Sequence, residues 1–283
     1  MTSVPDEHYA QCETLLRARD RDLWLASLFA PQEARPHIHA IYAFAQEAAD
    51  APAKVTQPIL GEMRLRWWAD AIEAHETQGE GARAHPVADA LIDTIERFVL
   101  PRAELVALAD AHIADLYDDP LPTLAALEDY CRATAAGPMR WAARILGADP
   151  DATSARAFDD AGVALGLTRM LRAAPRELAR FTPTELLARH GARREEFEGT
   201  RLGAELRAAL AELRALAQRR YVAARKAAGS LGDARAALLP AATIPLYLER
   251  MARKDYDPFR PFADPSPLRR QWRLWRAARG VGL

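Results

Sequence analysis

The chain has 283 residues, 50% of them hydrophobic and 27% charged, with a formal net charge of −1 at pH 7. This apolar fraction excludes wholesale disorder, and the balanced charge excludes a global basic field that would hold a nucleic-acid backbone. The two cysteines, Cys12 and Cys131, are too few for a disulfide framework and too far apart for a CxxC site.

Helix-forming residues dominate the chain, whereas glycine and β-branched residues are scarce. Prolines such as Pro31, Pro58 and Pro101 stand where a first helical turn or a helix break belongs. Pro138 interrupts a long helical pattern and predicts a kink there. In chain order, the patterns predict helices near 5–19, 21–30, 32–50, 58–76, 84–99, 101–117, 122–147, 152–173, 183–190, 202–228, 232–252 and 265–279.

No segment rich in serine and glycine divides these helices, and no repeat of fixed period is present. The segment 77–85 is predicted to be a flexible loop, but it is too short to separate domains. The sequence therefore predicts one all-α domain over 1–283, with a basic and aromatic helix at 265–279. Its acidic start lacks the apolar region of a signal peptide, and no run of about 18 apolar residues predicts a membrane span.

Two groups of polar residues look like metal sites but fit simpler interpretations better. His37 and His39 are two positions apart, which places them on different sides of a helix. Asp115, Asp118 and Asp119 come at a helix end, where a solvated loop is expected. The sequence also lacks GxSxG, P-loop and GxGxxG motifs. The residues alone therefore predict no catalytic site and no metal site.

Six motifs follow one another in a fixed order. They are AIYAFAQEAADAPA at 40–53, the tryptophan pair at 67–68, HPV at 85–87, LEDYCRATAAG at 127–137, GVALGLTRMLRAAPRE at 162–177 and LLARHG at 186–191. In this order they resemble the squalene/phytoene synthase family of head-to-head prenyl synthases. The resemblance implies an all-α, isoprenoid-synthase-like helical bundle around a central apolar cavity. In that family, aspartates on facing helices hold the Mg²⁺ ions that bind the diphosphates of two allylic substrates.

The chain departs from the family pattern where those metal ligands belong. In the first motif only Asp50 survives, and in the second Glu177 is the one acidic residue. Alanine offers no metal ligand, so the resemblance implies that Mg²⁺-dependent prenyl transfer is lost. The departing residues are Ala49, Pro52 and Ala53 in the first motif, and Gly166, Arg169, Ala173, Pro175 and Glu177 in the second.

The same helices keep side chains that the resemblance places around a residual pocket. The aromatic rings are either core residues or pocket walls, and Trp67 and Trp68 point about 100° apart, so at most one faces the cavity. Arg169 and Arg172 form either a solvated or Glu-paired face or a metal-free site for a phosphate or carboxylate. The candidate ligand-binding residues are Tyr42, Phe44, Asp50, Trp67, Thr168, Arg169 and Arg172.

The C-terminal segment after Pro265 combines tryptophan with arginine. Leu268, Trp272 and Trp275 recur at helical spacing and form one apolar stripe. Two interpretations remain open. Either the stripe packs on the domain and the arginines are solvated, or the helix lies in an anionic membrane interface. The candidate membrane or partner contacts are Trp272, Arg273, Trp275 and Arg276.

The run LRAAP at 171–175 and the segment 251–278 resemble a non-catalytic branch of the family. A mitochondrial assembly factor for complex I, the NADH:ubiquinone oxidoreductase, typifies that branch. The resemblance predicts a bacterial pseudoenzyme without cofactor that assists complex I assembly by binding a subunit, an assembly intermediate, or an isoprenoid or other lipid-like ligand. The expected location is the cytoplasm or the inner face of the plasma membrane. The alternatives are a prenyl transferase that needs Mg²⁺ and a carrier of an isoprenoid diphosphate.

Overall fold

The computed structural model describes residues 4–78, 85–117, 119–148, 152–199 and 201–281, so most of the predicted loop at 77–85, and Asp118, lie outside it. Within these ranges every regular element is helical, which confirms the all-α prediction. The α-helices are α1 (Asp6–Arg19), α2 (Arg21–Ser27), α3 (Arg35–Ala49), α4 (Pro58–Gln78), α5 (Pro86–Phe98), α6 (Arg102–Ala111), α7 (Leu124–Cys131), α8 (Gly137–Ile145), α9 (Ala152–Met170), α10 (Pro175–Phe181), α11 (Thr184–His190), α12 (Ala204–Ala227), α13 (Ile244–Met251) and α14 (Pro267–Ala278).

Proline and capping residues place most of the helix starts. The carboxylate of Asp20 accepts a hydrogen bond from the Leu23 N–H at 3.0 Å and caps α2. The predicted helix at 232–252 begins instead as a 3₁₀ run, Gly232–Thr243, with Pro240 inside it. The helix α10 is absent from the sequence prediction, although Pro175 is well suited to its first turn.

The irregularity near Pro138 is a π-helical turn, Arg132–Ala136, between α7 and α8. The helix α9 packs so closely on this turn that a Cβ atom at Gly162 would lie 2.2 Å from the Cα of Ala136. One turn later, a Cβ at Gly166 would lie 2.8 Å from the Sγ of Cys131. Glycine at both positions therefore permits the close approach of α9 to the π-helical turn.

The buried side chains form one connected apolar cluster. Its largest members include Trp68, Trp141 and Phe158. The helix α3 is buried around most of its circumference and packs against α1, α5 and α8, while α9 packs lengthwise on α12. A helix that is apolar on all sides belongs at the centre of a bundle. Of the helices in the described ranges, none is both long and apolar enough to span a bilayer.

Candidate functional site

A cavity of about 220 Å³ lies between α3 and α9. The helix α3 contributes Tyr42, Ala45, Gln46 and Ala49, whose spacing places them on one helical face. The helix α9 and the turn after it contribute a second face, and alanine, leucine and aromatic side chains form much of the wall. The remaining lining residues are Leu23, His112, Tyr130, Thr134, Ala135, Pro138, Leu165, Gly166, Arg169, Met170, Ala173, Glu177 and Phe181.

The hydroxyl of Tyr42 is buried on this wall without a hydrogen-bond partner among the described residues. Burial raises the pKa of Tyr42, so the group stays a neutral phenol at physiological pH. Buried hydroxyl groups in folded proteins normally have a partner. The unmet hydrogen bond of Tyr42 is the feature of the cavity that fits a polar group on a bound molecule.

A second tyrosine on the wall, the half-buried Tyr130, has a hydrogen-bond partner for its hydroxyl. The Tyr130 hydroxyl donates to Asp115 Oδ2 at 2.6 Å, and His112 Nδ1 lies 2.7 Å from the same oxygen. Arg180 Nη2 is 3.4 Å from Asp115 Oδ1. The prediction of a solvated loop is therefore wrong for Asp115, whose side chain is 7% exposed, because three partners draw it inward. Asp119 is exposed.

The cavity does not hold the carboxylates that a magnesium cluster needs. Ala49 and Ala173 face it, and neither has a ligand atom. The Asp50 carboxylate lies 3.0 Å from Arg19 Nη2, which leaves Glu177 as the acidic residue among the described lining side chains. No group of three or more His, Cys, Asp or Glu residues is arranged to bind a metal within the described ranges. These residues do not fit the family's magnesium cluster.

Both arginines of the second motif are paired with aspartates of this chain. Arg169 Nη2 lies 2.6 Å from Asp20 Oδ2, and Arg172 Nη2 lies 2.8 Å from Asp264 Oδ1. The Arg172 guanidinium also stacks on the Tyr247 ring, 3.9 Å from its centroid. Each guanidinium therefore has one carboxylate partner within the chain, which favours the ion-paired interpretation over a metal-free anion site. Ion pairing was one of the predicted alternatives, although with glutamate.

Arg169 lines the main cavity, whereas the candidate residues Thr168, Phe44 and Trp67 lie outside it. The Thr168 hydroxyl donates to the Ala164 carbonyl at 2.7 Å and faces a small gap of about 30 Å³ beside Arg169. Phe44 is fully buried, two residues from Tyr42 and hence on another side of α3. Its ring packs on Trp68 with centroids 5.1 Å apart. Trp67 is 38% exposed and packs edge-on against the Trp68 ring. It does not line the cavity, so its prediction as a pocket residue is wrong.

The paired histidines of α3 have ordinary structural roles. His37 Nδ1 lies 2.8 Å from the Thr94 hydroxyl, and His39 Nε2 lies 2.8 Å from the Ser27 hydroxyl. Burial lowers the pKa of both imidazoles. They point to different neighbouring helices, as their spacing predicts.

The C-terminal helix α14 packs on the bundle through the face that carries Arg273, and its tryptophan stripe faces solvent. Arg273 points inward, where its Nη2 donates to the Tyr221 hydroxyl at 3.0 Å. Trp272 and Trp275 lie on the outer face, 59% and 37% exposed, and Arg276 is also exposed. Of the two interpretations left open by the sequence, the one in which the tryptophan stripe packs on the domain is wrong.

Sequence reasoning missed several residues of the site. Gln46 stands one turn after Tyr42, and Tyr130 lies inside the motif at 127–137, so helical spacing and the motif itself were usable signals. Asp20 and Asp264 have no such signal, because they meet their arginines across long separations in the chain.

The chain forms an all-helical bundle around an apolar cavity, and two helical faces line that cavity where metal-binding carboxylates would stand. These features define a protein with the isoprenoid synthase fold. The sequence matches the squalene/phytoene synthase family over residues 16–276, and the chain belongs to this family.

Curated relatives cover most of the chain. It is 28% identical over 262 residues to complex I assembly factor 6 of Rattus norvegicus, covering 91% of this chain and 78% of the relative. The factor of Homo sapiens is 27% identical over 259 residues, covering 90% and 76%. A phytoene synthase of Thermus thermophilus is 30% identical over 237 residues, covering 81% and 77%.

Solved structures share the fold. A dehydrosqualene synthase with bound ligand superposes with a TM-score of 0.81 at 20% identity, covering 97% of this chain and 96% of that one. A squalene synthase of Alicyclobacillus acidocaldarius has a TM-score of 0.77 at 25% identity, covering 92% and 98%. These structures establish that the bundle is that of the squalene and phytoene synthases.

Proposed function

We propose that this protein is a non-catalytic member of the squalene/phytoene synthase family that assists the assembly of respiratory complex I. The observation that carries the proposal is the cavity wall, where Ala49 and Ala173 stand in place of metal-binding aspartates. Ionisation of an allylic diphosphate requires charge stabilisation that metal ions normally supply. The similarity to complex I assembly factor 6 over most of both chains supports the assembly role.

Deletion of the gene is the direct test of the assembly role. We expect membranes of the deletion strain to contain less complex I on native gels and to oxidise NADH more slowly, and a plasmid copy to restore both. Complex I content equal to that of the parent strain would contradict the proposal.

A separate assay addresses the prenyl transferase alternative. Because the cavity lacks a carboxylate cluster, purified protein with Mg²⁺ and farnesyl or geranylgeranyl diphosphate should release no diphosphate above background. Release that requires Mg²⁺ and disappears in Asp50→Ala would establish the alternative activity.

The cavity supports binding of a lipid-like molecule in place of catalysis. Its apolar wall fits a hydrocarbon, and the Tyr42 hydroxyl supplies one hydrogen bond for an oxygen of an isoprenoid or lipid. Native mass spectrometry of protein purified from its source should show a bound apolar molecule that Tyr42→Phe binds less tightly. Ligand-free protein from that source would contradict this part of the proposal.

We place the protein in the cytoplasm of a bacterium, in contact with the inner face of the plasma membrane. Complex I is a membrane enzyme, and an assembly factor for it works close to that surface. Fractionation of cells should recover part of the protein with washed membranes and part in the soluble fraction.

A further inference from the structure

The helix α14 presents an apolar face to solvent. Leu268, Trp272 and Trp275 are 77%, 59% and 37% exposed and follow one another at helical spacing. The two indole rings stack with centroids 5.0 Å apart, and the Arg279 guanidinium lies 3.8 Å from the Trp275 centroid. Exposure of this apolar surface to water is unfavourable in free energy, and such exposed patches commonly mark interaction sites.

The opposite face of α14 holds the helix in this orientation. Leu274 and Ala277 are buried against the bundle. Arg270 Nη1 lies 2.9 Å from Asp22 Oδ1, and Arg273 Nε donates to the Ala242 carbonyl at 3.0 Å. Turning the tryptophans inward would break these bonds, so their exposure follows from the packing of the helix.

The segment that carries the exposed face has charged side chains of one sign. The segment 265–281 contains five arginines and no acidic residue. Of these arginines, Arg269, Arg276 and Arg279 are exposed beside the apolar stripe. Tryptophan favours the boundary between lipid headgroups and acyl chains, and arginine beside it favours anionic headgroups. This complementarity selects an anionic lipid surface as the occupant of the face.

We propose that α14 docks the protein on an anionic bilayer. Leu268, Trp272 and Trp275 enter the headgroup region, and Arg269 and Arg276 bind lipid phosphates. The inference rests on the proposed function for its biological setting, since complex I is assembled in a membrane.

The test is co-sedimentation of the full chain with vesicles of phosphatidylcholine alone or mixed with phosphatidylglycerol. We expect binding to the mixed vesicles only, and weaker binding at high salt. The double variants W272A/W275A and R269Q/R276Q should each lower the partition coefficient roughly tenfold or more. Both should keep the circular dichroism spectrum and melting temperature of the parent, because the four side chains are exposed.

Trp67→Ala is the matched control, because Trp67 is 38% exposed on α4 and should not affect vesicle binding. Absence of vesicle binding, equal binding to both vesicle types, or unchanged binding by the two double variants would overturn the proposal. A dimer that W272A/W275A dissociates, without vesicle binding, would assign the face to a second copy and overturn it too. Vesicle binding by purified protein is independent of the complex I measurement, so failure of one proposal is distinguishable from failure of the other.

Discussion

The two tyrosines on the cavity wall differ in what their hydroxyl groups bond. Tyr42 has an unmet hydrogen bond, whereas the Tyr130 hydroxyl donates to the Asp115 carboxylate. A buried polar group without a partner lowers stability, and a bond to a charged partner raises it. The same chemical change should therefore have opposite effects at the two positions.

We predict that Tyr42→Phe raises the free energy of unfolding by up to about 1 kcal/mol in ligand-free protein, whereas Tyr130→Phe lowers it by about 1–2 kcal/mol. Urea denaturation of both variants, followed by circular dichroism, measures the difference. Equal destabilisation by the two variants would mean that the Tyr42 hydroxyl has a partner in solution.

The buried histidines make stability depend on pH. Burial lowers the pKa of His37, His39 and His85. In the unfolded chain a histidine titrates near pH 6.5, so below that value the unfolded state binds protons that the folded state does not. Their stabilising effect is complete above about pH 6.5 and is lost as the pH falls toward their lowered folded pKa values.

We therefore predict a smaller free energy of unfolding at about pH 5.5 than at about pH 7.5, with each histidine adding at most about 1.4 kcal/mol per pH unit. Urea denaturation at the two pH values measures this slope. His39→Gln should make the slope shallower. A stability that is constant over this range would contradict the assignment of neutral, buried imidazoles.

At the scale of residues, the sequence predicted which residue types stand at the site better than it predicted which residues they contact. The replacement of metal ligands by Ala49, Ala53 and Ala173, and the arginine at position 169, can be read from the motifs themselves. The pairing of Arg169 with Asp20 is not, because it joins residues 149 positions apart through the packing of whole helices. From the motif alone, Arg169 could have been free to bind an anion, whereas in the folded chain it pairs with Asp20.

At the scale of elements, the packing of α9 depends on small residues. A Cβ at Gly162 would lie 2.2 Å from backbone of the π-helical turn, and backbone cannot move aside as a side-chain tip can. We predict that Gly162→Ala lowers the free energy of unfolding by about 1–3 kcal/mol through overpacking, despite the better helix propensity of alanine.

Gly229→Ala is the matched control, because a Cβ there meets nothing within 4 Å. Thermal unfolding of both variants should show a lowered midpoint for Gly162→Ala and little change for Gly229→Ala. A stable Gly162→Ala variant would show that α9 and the turn are further apart in solution.

The adjacent tryptophans of α4 offer a second contrast. Trp68 is 1% exposed and packs on Phe44 and His85, whereas Trp67 is 38% exposed. We predict that Trp68→Ala costs about 3–5 kcal/mol of the free energy of unfolding, and Trp67→Ala less than about 1 kcal/mol. Guanidinium denaturation measures both. Comparable losses at the two positions would contradict the orientation of α4.

Helix limits were predictable where local chemistry determines them. The limits of α1, α11 and α14 lie within about two residues of those predicted, the usual uncertainty of helix ends. The 3₁₀ run before α13 was not predicted, because its alanine and leucine residues favour an ordinary α-helix. The inward face of α14 was not predicted either, since Arg270 and Arg273 find their partners in α2 and α12 and in the 3₁₀ run before α13.

At the scale of the whole molecule, one carboxylate joins the two ends of the chain. Asp22 Oδ1 lies 2.9 Å from Arg270, and Asp22 Oδ2 accepts a hydrogen bond from the Tyr247 hydroxyl at 2.7 Å. The partners stand 248 and 225 positions away in sequence. This carboxylate therefore connects α2 to α13 and α14.

We predict that Asp22→Asn lowers the free energy of unfolding by about 1–3 kcal/mol, because a charged hydrogen-bond acceptor is lost. Hydrogen exchange should also become faster in α14 than in α9, since the terminal helix loses an anchor. Asp70→Asn on the exposed surface of α4 is the control and should change neither quantity. Unchanged exchange in α14 would show that Leu274 and Ala277 hold the helix without Asp22.

The contact between Gly166 and Cys131 limits which side chains position 166 can hold. Even a Cβ atom at position 166 would lie 2.8 Å from the sulfur of a fully buried cysteine. A larger side chain at position 166 would have to displace the Cys131 side chain or separate α9 from α7. Carboxylates introduced at positions 49 and 173 would therefore face a cavity wall that the packing of α9 on α7 has already fixed.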